Sequence, residues 1–411
     1  MPIQRMRIHA LARVAALLNL CLLPWSAGAA APRGPGVGAP MAGAGALAGS
    51  AARRSDSVVV VHAFDSGAGD GSDPLGGLLI ARDGTVYGTT TLGGVHGLGT
   101  LYSISQTGQY RVLHSFASDA DDGTRPEAAP TLGRDGWLYG TTSDGGRKGL
   151  GIVYRVRPDG KDYRVLHSFS GGRDGGTPRS ALLLASDGNF YVLMGDGNGQ
   201  MDEISPDGRV SAVHRFTDLR APVGALAESR QRIYGTARGG GRDHVGGVFR
   251  YDLGTQRFST AAYFTGSNGA APLAGLMLAS NGNLYGTTSA GGARSHGAVF
   301  QFSPGSDQLQ AIFSFDGGRD GLLPASLPYQ GPNGHLYVTA SSGGPRAQGT
   351  LVRMKPDGTS ASVLYSFGRT GADGSFYAPH SGVTGDPRNG LLYGTALAGG
   401  PGGKGVVYAL K

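Results

Sequence analysis

The sequence predicts an all-β protein, a seven-bladed β-propeller of four-stranded blades, on three observations. A Tyr-Gly-Thr-Thr-like tetrad begins at Tyr87, Tyr139, Tyr234, Tyr285 and Tyr393, with looser copies at Tyr191 and Tyr337, at successive spacings of 52, 52, 43, 51, 52 and 56 residues. A Phe closing a Val-Leu-His-Ser-Phe-like run recurs in step at Phe64, Phe116, Phe169, Phe216, Phe264, Phe315 and Phe367. Between these landmarks, Asp-Gly and Asn-Gly turns and Gly-Gly pairs separate short apolar runs. A period of roughly fifty residues marks units that cannot bury their faces alone and must stack on their neighbours.

The second unit shows how each copy parses into four strands. Residues 128–133 form the first strand, Arg134-Asp135-Gly136 a tight turn, and residues 137–142 the second strand. A Gly-Gly loop follows, then a third strand over residues 152–156, a Pro158-Asp159-Gly160 turn, and a fourth strand over residues 163–169. Asp-Gly turns supply the positive φ that a two-residue hairpin needs. The link from Phe116 to Ala128 is longer and carries an Asp-Gly-x-x-Pro pattern, as an outer strand crossing to the next inner strand would require.

That boundary has a consequence at the ends of the chain. Residues 58–64 are an outer strand with no inner strands before them, and residues 406–410 are a third strand with no outer strand after them. The ring is therefore expected to close by pairing the first strand beside the last, which protects the edges of an open array. The tetrad Tyr, the closing Phe and the third-strand aromatics Tyr102, Tyr154, Phe249, Phe300 and Tyr408 are expected to pack between neighbouring blades. Each buried aromatic contributes roughly 1.5–3 kcal/mol.

Residues 1–29 read as a secretory signal peptide. Arg5, Arg7 and Arg13 precede an apolar run from Val14 to Trp25, and Ala27, Gly28 and Ala29 form a small-residue cleavage site. The run is shorter than the ~20 residues that span a bilayer, so no membrane anchor is expected after cleavage. Leu20 before Cys21 is the wrong residue for lipoprotein processing. Residues 30–56, rich in Ala, Gly and Pro, read as a flexible linker, and residues 57–411 as the propeller. A secreted or periplasmic protein follows, with no cysteine left once Cys21 is removed.

Composition excludes several classes. Gly fills 75 of 411 positions without the strict period of collagen. Loss of residues 1–29 removes three arginines and no acid, lowering the net charge from +7 to +4, and no run of Lys or Arg exceeds two. Nucleic-acid binding would call for a denser basic stripe. A ring closed on itself is expected to be a monomer.

The runs Leu138-Tyr-Gly-Thr-Thr-Ser-Asp-Gly-Gly146 with Gly149-Leu-Gly-Ile-Val-Tyr154, and Leu284-Tyr-Gly-Thr-Thr-Ser-Ala-Gly-Gly292 with Gly297-Ala-Val-Phe300, resemble the GloVer-type extracellular repeat of bacteria. The resemblance covers residues 58–411. It implies secretion and a propeller-like repeat, and it implies no settled biochemical activity. Kelch repeats are similar in placing Gly-Gly after the second strand, but their downstream Trp is missing here.

Most conspicuous side chains are explained by the repeat. His62, His114, His167 and His214 each stand two residues before the closing Phe, a structural position. The Gly-Gly loops are different, because their residues vary. They hold Arg147, Lys148, Arg238, Arg242, His244, Arg294, His296, Arg346 and Lys404, the candidate ligand-binding residues, together with His96. By the strand order, these loops and the inter-blade links share one face of the ring. The same face carries Asp70, Asp73, Asp119, Asp121, Asp122, Asp174, Asp320 and Asp373. Opposite charges in adjoining loops are most simply solvated or loosely paired. An anionic glycan or cell-surface polymer is the ligand that convergent cations would focus. Asp119-x-Asp121-Asp122-Gly123 faintly resembles a calcium loop but lacks the Glu that completes one, so neither metal nor cofactor is expected.

Two functions are therefore carried forward. The first is a secreted binding or interaction module using the loop face; no Ser, His and Asp set stands outside the repeat, and no catalytic residue is assigned. The alternative is a propeller hydrolase or lyase, metal-dependent or not, with its site at the channel mouth. Such a site draws on strand ends of different blades and leaves no local motif. The third blade is where it would be sought, since Tyr191-Val-Leu-Met-Gly-Asp-Gly-Asn198 breaks the tetrad and shortens the loop.

Overall fold

The computed structural model describes residues 58–411 except 66, 68, 120, 369–378 and 380. The expected signal peptide and linker, and Asp373, lie outside the described residues. Seven small antiparallel sheets form a ring, a seven-bladed β-propeller. Blade 2 is representative: Thr131–Leu132, Leu138–Thr142, Ile152–Val156 and Arg164–Ser168 run from the axis outward. The last blade mixes the two ends of the chain, in the order Thr384–Gly385, Leu392–Ala396, Val406–Leu410 and Val58–Ala63.

Closure takes the predicted form. Val58 pairs with Leu410, Val60 with Tyr408 and Ala63 with Val406. A bulge falls between Val60 and His62, and every other outer strand is bulged at the equivalent point, as at Leu166 of blade 2, between the partners of Tyr154 and Val153. The closing pair is thus a full copy of the repeat. It is sealed on the axis side as well, where Thr384 Oγ1 donates to the Leu78 carbonyl at 3.3 Å.

The tetrad now has a physical reading. Its Gly lies directly across from the third-strand aromatic, as Gly140 does from Tyr154. A Cβ at Gly140 would sit 2.3 Å from the Tyr154 hydroxyl, so only Gly lets the ring lie flat over the second strand. The ring then meets the closing Phe of the preceding blade: Phe116 and Tyr154 centroids are 5.3 Å apart, Phe64 and Tyr102 5.5 Å, Phe367 and Tyr408 5.5 Å. The first Thr reaches across to the next blade. Thr89 Oγ1 donates to Ala128 O at 3.0 Å, Thr287 to Ser326 O at 2.9 Å, and Thr395 to Gly76 O at 3.4 Å across the closure.

Two details differ from the sequence reading. The first strand of blade 2 is paired only over Thr131–Leu132 rather than residues 128–133, because Ala128 bonds the preceding blade and Pro130 has no N–H to donate. The Gly-Gly segment is not an open loop. In blade 2, Asp144–Gly145 pairs with Gly123–Thr124 of the incoming link, and Leu92–Gly93 pairs with Gly71–Ser72 in blade 1.

Candidate functional site

The face shared by Gly-Gly loops and links is built by a repeated clip. Both glycines are left-handed, with φ of +80° and +72° at Gly145 and Gly146, which turns the second amide back onto the link. Gly146 N donates to Asp122 O at 2.6 Å, Gly94 N to Asp70 O at 2.6 Å, and Gly241 N to Asp218 O at 3.0 Å. The residue before the link proline is also left-handed at Asp73, Arg125, Thr177, Ala221, Ala271 and Leu323. Its amide donates to the loop of the preceding blade, as Arg125 N does to Leu98 O at 3.0 Å and Asp73 N to Lys404 O at 3.0 Å. Each described link is thereby stapled to two loops, and the described part of the face is a rim of fixed backbone.

The recurrent His and Asp of the repeat are consumed inside that rim. His114 Nε2 lies 2.9 Å from Asp122 Oδ2, His167 3.0 Å from Asp174, and His62 3.3 Å from Asp70. The next blade caps the pair: Tyr163 stacks on His114 at 3.6 Å and donates its hydroxyl to Asp122 Oδ1 at 2.6 Å. Ala117 N donates to the same carboxylate at 3.0 Å. Burial works to raise the Asp122 carboxyl, but the His114 ring, the Tyr163 hydroxyl and the Ala117 amide outweigh it and hold the group below its ordinary value. Asp70 and Asp174 are shifted the same way, by the same balance of burial against donors.

These acids are therefore neither solvated nor loosely paired, as opposite charges in adjoining loops would suggest. Asp122 is fully engaged and has no lone pair to spare for the faint calcium loop that Asp119 and Asp121 begin. Among the described residues, no group of three His, Cys, Asp or Glu is placed to hold a metal ion.

The nine candidate residues come from five blades, because blade 1 offers Leu92, Val95 and His96 in its loop and the blade 3 loop is too short. Arg147, Lys148, Arg242, His244, Arg294, His296 and Arg346 are exposed, while Arg238 and Lys404 are half-buried. The side chains of three of them contact the links and the ends of outer strands. Arg147 donates its amide to Ser168 Oγ and pairs through Nε with Asp121 at 3.2 Å. Arg294 lies 3.4 Å from Asp316, and Arg346 Nη1 donates to Ser366 O at 3.3 Å.

One residue of blade 3 escaped the sequence reading. Asp202 occupies the third-strand position where blade 2 has Tyr154, and it faces Val192 instead of Gly. Its side chain is wholly inaccessible. Oδ1 accepts from Gln200 Nε2 at 2.5 Å, and the same amide donates to Arg173 O at 2.9 Å, but Oδ2 has no partner. Burial pushes the carboxyl up to about 7; the charges of Asp174 and Asp196 add to this, against Gln200 and Arg215. Aligning Gln200-Met-Asp-Glu-Ile204 on Ile152-Val-Tyr-Arg-Val156 is the signal that would have found it.

Comparison with known proteins agrees with this architecture. The family model described as the Gloeobacter/Verrucomicrobia repeat matches residues 50–219 and 195–331. No curated protein matches the sequence. Among solved structures, an oligogalacturonate lyase in complex with manganese is similar at a TM-score of 0.57 and 9% identity, covering 88% of this chain and 94% of that one. A gluconolactonase from Xanthomonas campestris is similar at a TM-score of 0.44 and 14% identity, covering 86% of this chain and 89% of that one. At 9% identity the likeness to the lyase is one of fold. Among the described residues, no helix is long and apolar enough to cross a membrane.

Proposed function

The chain belongs to the Gloeobacter/Verrucomicrobia repeat family, a description that names a repeat and no reaction, and from that premise we propose that it is an exported binding module. Its ligand is an anionic glycan or cell-surface polymer, held on the face of Gly-Gly loops and links. One observation carries the reading: on this face the acids paired with the recurrent His turn in, while Arg147 and Arg294 turn out, Arg147 beside the exposed Asp121. The side chains of Asp70, Asp122 and Asp174 are 14%, 9% and 19% accessible, against 75% for Arg147 and 57% for Arg294. Exposed charges on a rigid rim attract an extended polyanion at low salt and lose it as screening sets in. Arg147, Arg294 and Arg346 are held by the links and outer-strand ends, so the polymer would lie across the blade tops rather than plug the axis.

The test is retention of the purified protein on immobilised polygalacturonate and on a neutral dextran, at low and moderate salt. Salt-sensitive retention on the acidic resin alone supports the reading, and Arg147→Glu with Arg294→Glu and Arg346→Glu should abolish it. Equal retention of that variant overturns the assignment of the face. Shortening of the polygalacturonate chains during the experiment would instead favour a propeller lyase, the alternative that the sequence leaves open.

A further inference from the structure

The opposite face, where the tight hairpins lie, is not uniform either. Four positions of each blade come together there: the residue that enters the second strand, two alternate residues at the end of the third strand, and the outer-strand residue across from them. In blade 2 these are Trp137, Arg155, Arg157 and Arg164. Arg155 pairs with Arg164 in the ladder, and continuing the register of Leu138 with Val156 sets Trp137 beside Arg157. All four therefore share one face of the sheet. The guanidinium carbons of Arg155, Arg157 and Arg164 lie 4.6, 4.7 and 5.8 Å from the centre of the Trp137 ring.

Elsewhere the same positions carry fewer cations and no indole; blade 6 comes nearest, with His335, Arg353, Lys355 and Ser362, where Arg353 Nε is likewise buried without a partner. Blade 4 has Arg232 paired with Asp252 at 3.0 Å, and Arg250 held by both oxygens of Asp307 at 2.8 Å. Blade 7 has Leu391, Ala409, Lys411 and Val59, which line an open groove of about 700 Å³. Blade 2 puts three cations around one indole, two of them directly opposed, an arrangement that strand pairing by itself disfavours. Its compensation is incomplete. Arg157 Nε pairs with Asp162 at 2.7 Å, and Arg155 lies 3.9 Å from Asp135. Arg155 Nε is buried without a partner, and Arg164 has no carboxylate within ion-pair reach among the described residues.

We propose that Trp137, Arg155, Arg157 and Arg164 form a binding site for a tetrahedral oxyanion, a sulfate or phosphate group either free or as an ester. Stacking on the indole occupies the face of a guanidinium and leaves its in-plane N–H groups free to donate. An anion whose oxygens point in several directions can accept from more than one such fork, where a planar carboxylate offers only two oxygens. The site lies on the hairpin face and is separate from the loop-face cations.

The sequence supplies its own reporter, because Trp25 and Trp137 are the only tryptophans. In the full chain carrying Trp25→Phe, emission from Trp137 is followed during titration with inorganic sulfate, inorganic phosphate, dextran sulfate and polygalacturonate, each matched in ionic strength with sodium chloride. A saturable change with sulfate, phosphate or dextran sulfate is expected, weakened about tenfold or more by Arg157→Gln with Arg164→Gln. Response to the inorganic ions assigns a free-anion site; response to dextran sulfate alone assigns the ester. The loop-face variant Arg147→Glu, Arg294→Glu, Arg346→Glu should leave the titration unchanged. The proposal fails if no anion gives a saturable change, if sodium chloride reproduces it, if polygalacturonate binds as tightly as dextran sulfate, or if the folded double glutamine variant binds like the parent.

Discussion

Blades 2 and 3 share an interface and a repeat, yet they differ at one cross-strand pair: Gly140 faces Tyr154 in blade 2, and Val192 faces Asp202 in blade 3. Blade 6 has made a similar exchange, with Val338 facing Val352. The glycine and the aromatic are therefore one unit, kept together or lost together, since a Cβ on one side takes the space of the ring on the other. Blade 6 fills that space with a second apolar side chain. Blade 3 puts a carboxyl into it.

The comparison breaks most sharply if the pair is split. Gly140→Val should cost about 3 kcal/mol by urea denaturation, because it drives a branched side chain into Tyr154 in a closely packed sheet. Tyr154→Val alone should cost about 3 kcal/mol through the cavity it leaves. The double variant rebuilds the pair of blade 6 and should be more stable than the sum of the two by about 2 kcal/mol. Simple additivity would mean that the two residues are not coupled.

Asp202 gives the second effect. An acid whose carboxyl is raised in the fold, here to about 7, contributes stability that is complete below its unfolded value near 4 and is lost as pH rises to about 7. Stability of the protein should fall by a few kcal/mol across that window. Asp202→Asn keeps the Gln200 contact and removes the titration, so its stability should lose this slope and exceed that of the parent at pH 8. A parallel pH profile for the two proteins would place Asp202 in contact with water.

Asp122 should behave with the opposite sign. Its carboxyl is lowered in the fold, so its contribution is present above the unfolded value near 4 and disappears as pH falls through the folded value. Asp122→Asn should cost about 2 kcal/mol at neutral pH, by loss of charge-assisted bonds to His114, Tyr163 and Ala117. It should also flatten the acid limb of the stability curve. The smallest effect is expected at the inter-blade hydroxyls. Blade 3 already has Leu193 where the others have Thr, so Thr395→Val should cost only about 1 kcal/mol despite its place at the ring closure.

The ring was legible because its evidence is local and repeated. Tyr and Phe at matched spacings count the blades, and an outer strand at 58–64 with a third strand at 406–410 can only complete one another. The reasons for individual residues were hidden wherever a partner lies in the next blade. Thr89 donates to a carbonyl of Ala128, and no side-chain pattern marks that acceptor. Asp202 carries no motif of its own, since the broken tetrad at Tyr191 marks the second strand and the third strand beside it breaks only one aromatic position. The loop cations could be placed on a face from strand order alone, but where their side chains settle depends on Asp121, Asp316 and Ser366, whose role as partners only the packed loops reveal.

Closure of the ring is the claim on which both faces depend, and native-state hydrogen exchange tests it directly. The ladder-bonded amides of Val58–Ala63 should open with a free energy within about 1 kcal/mol of those in Tyr110–Ser115, the equivalent strand of blade 1, since both complete four-stranded blades. Exchange of Val58–Ala63 at the rate of an unstructured chain, while Tyr110–Ser115 stays protected, would contradict it.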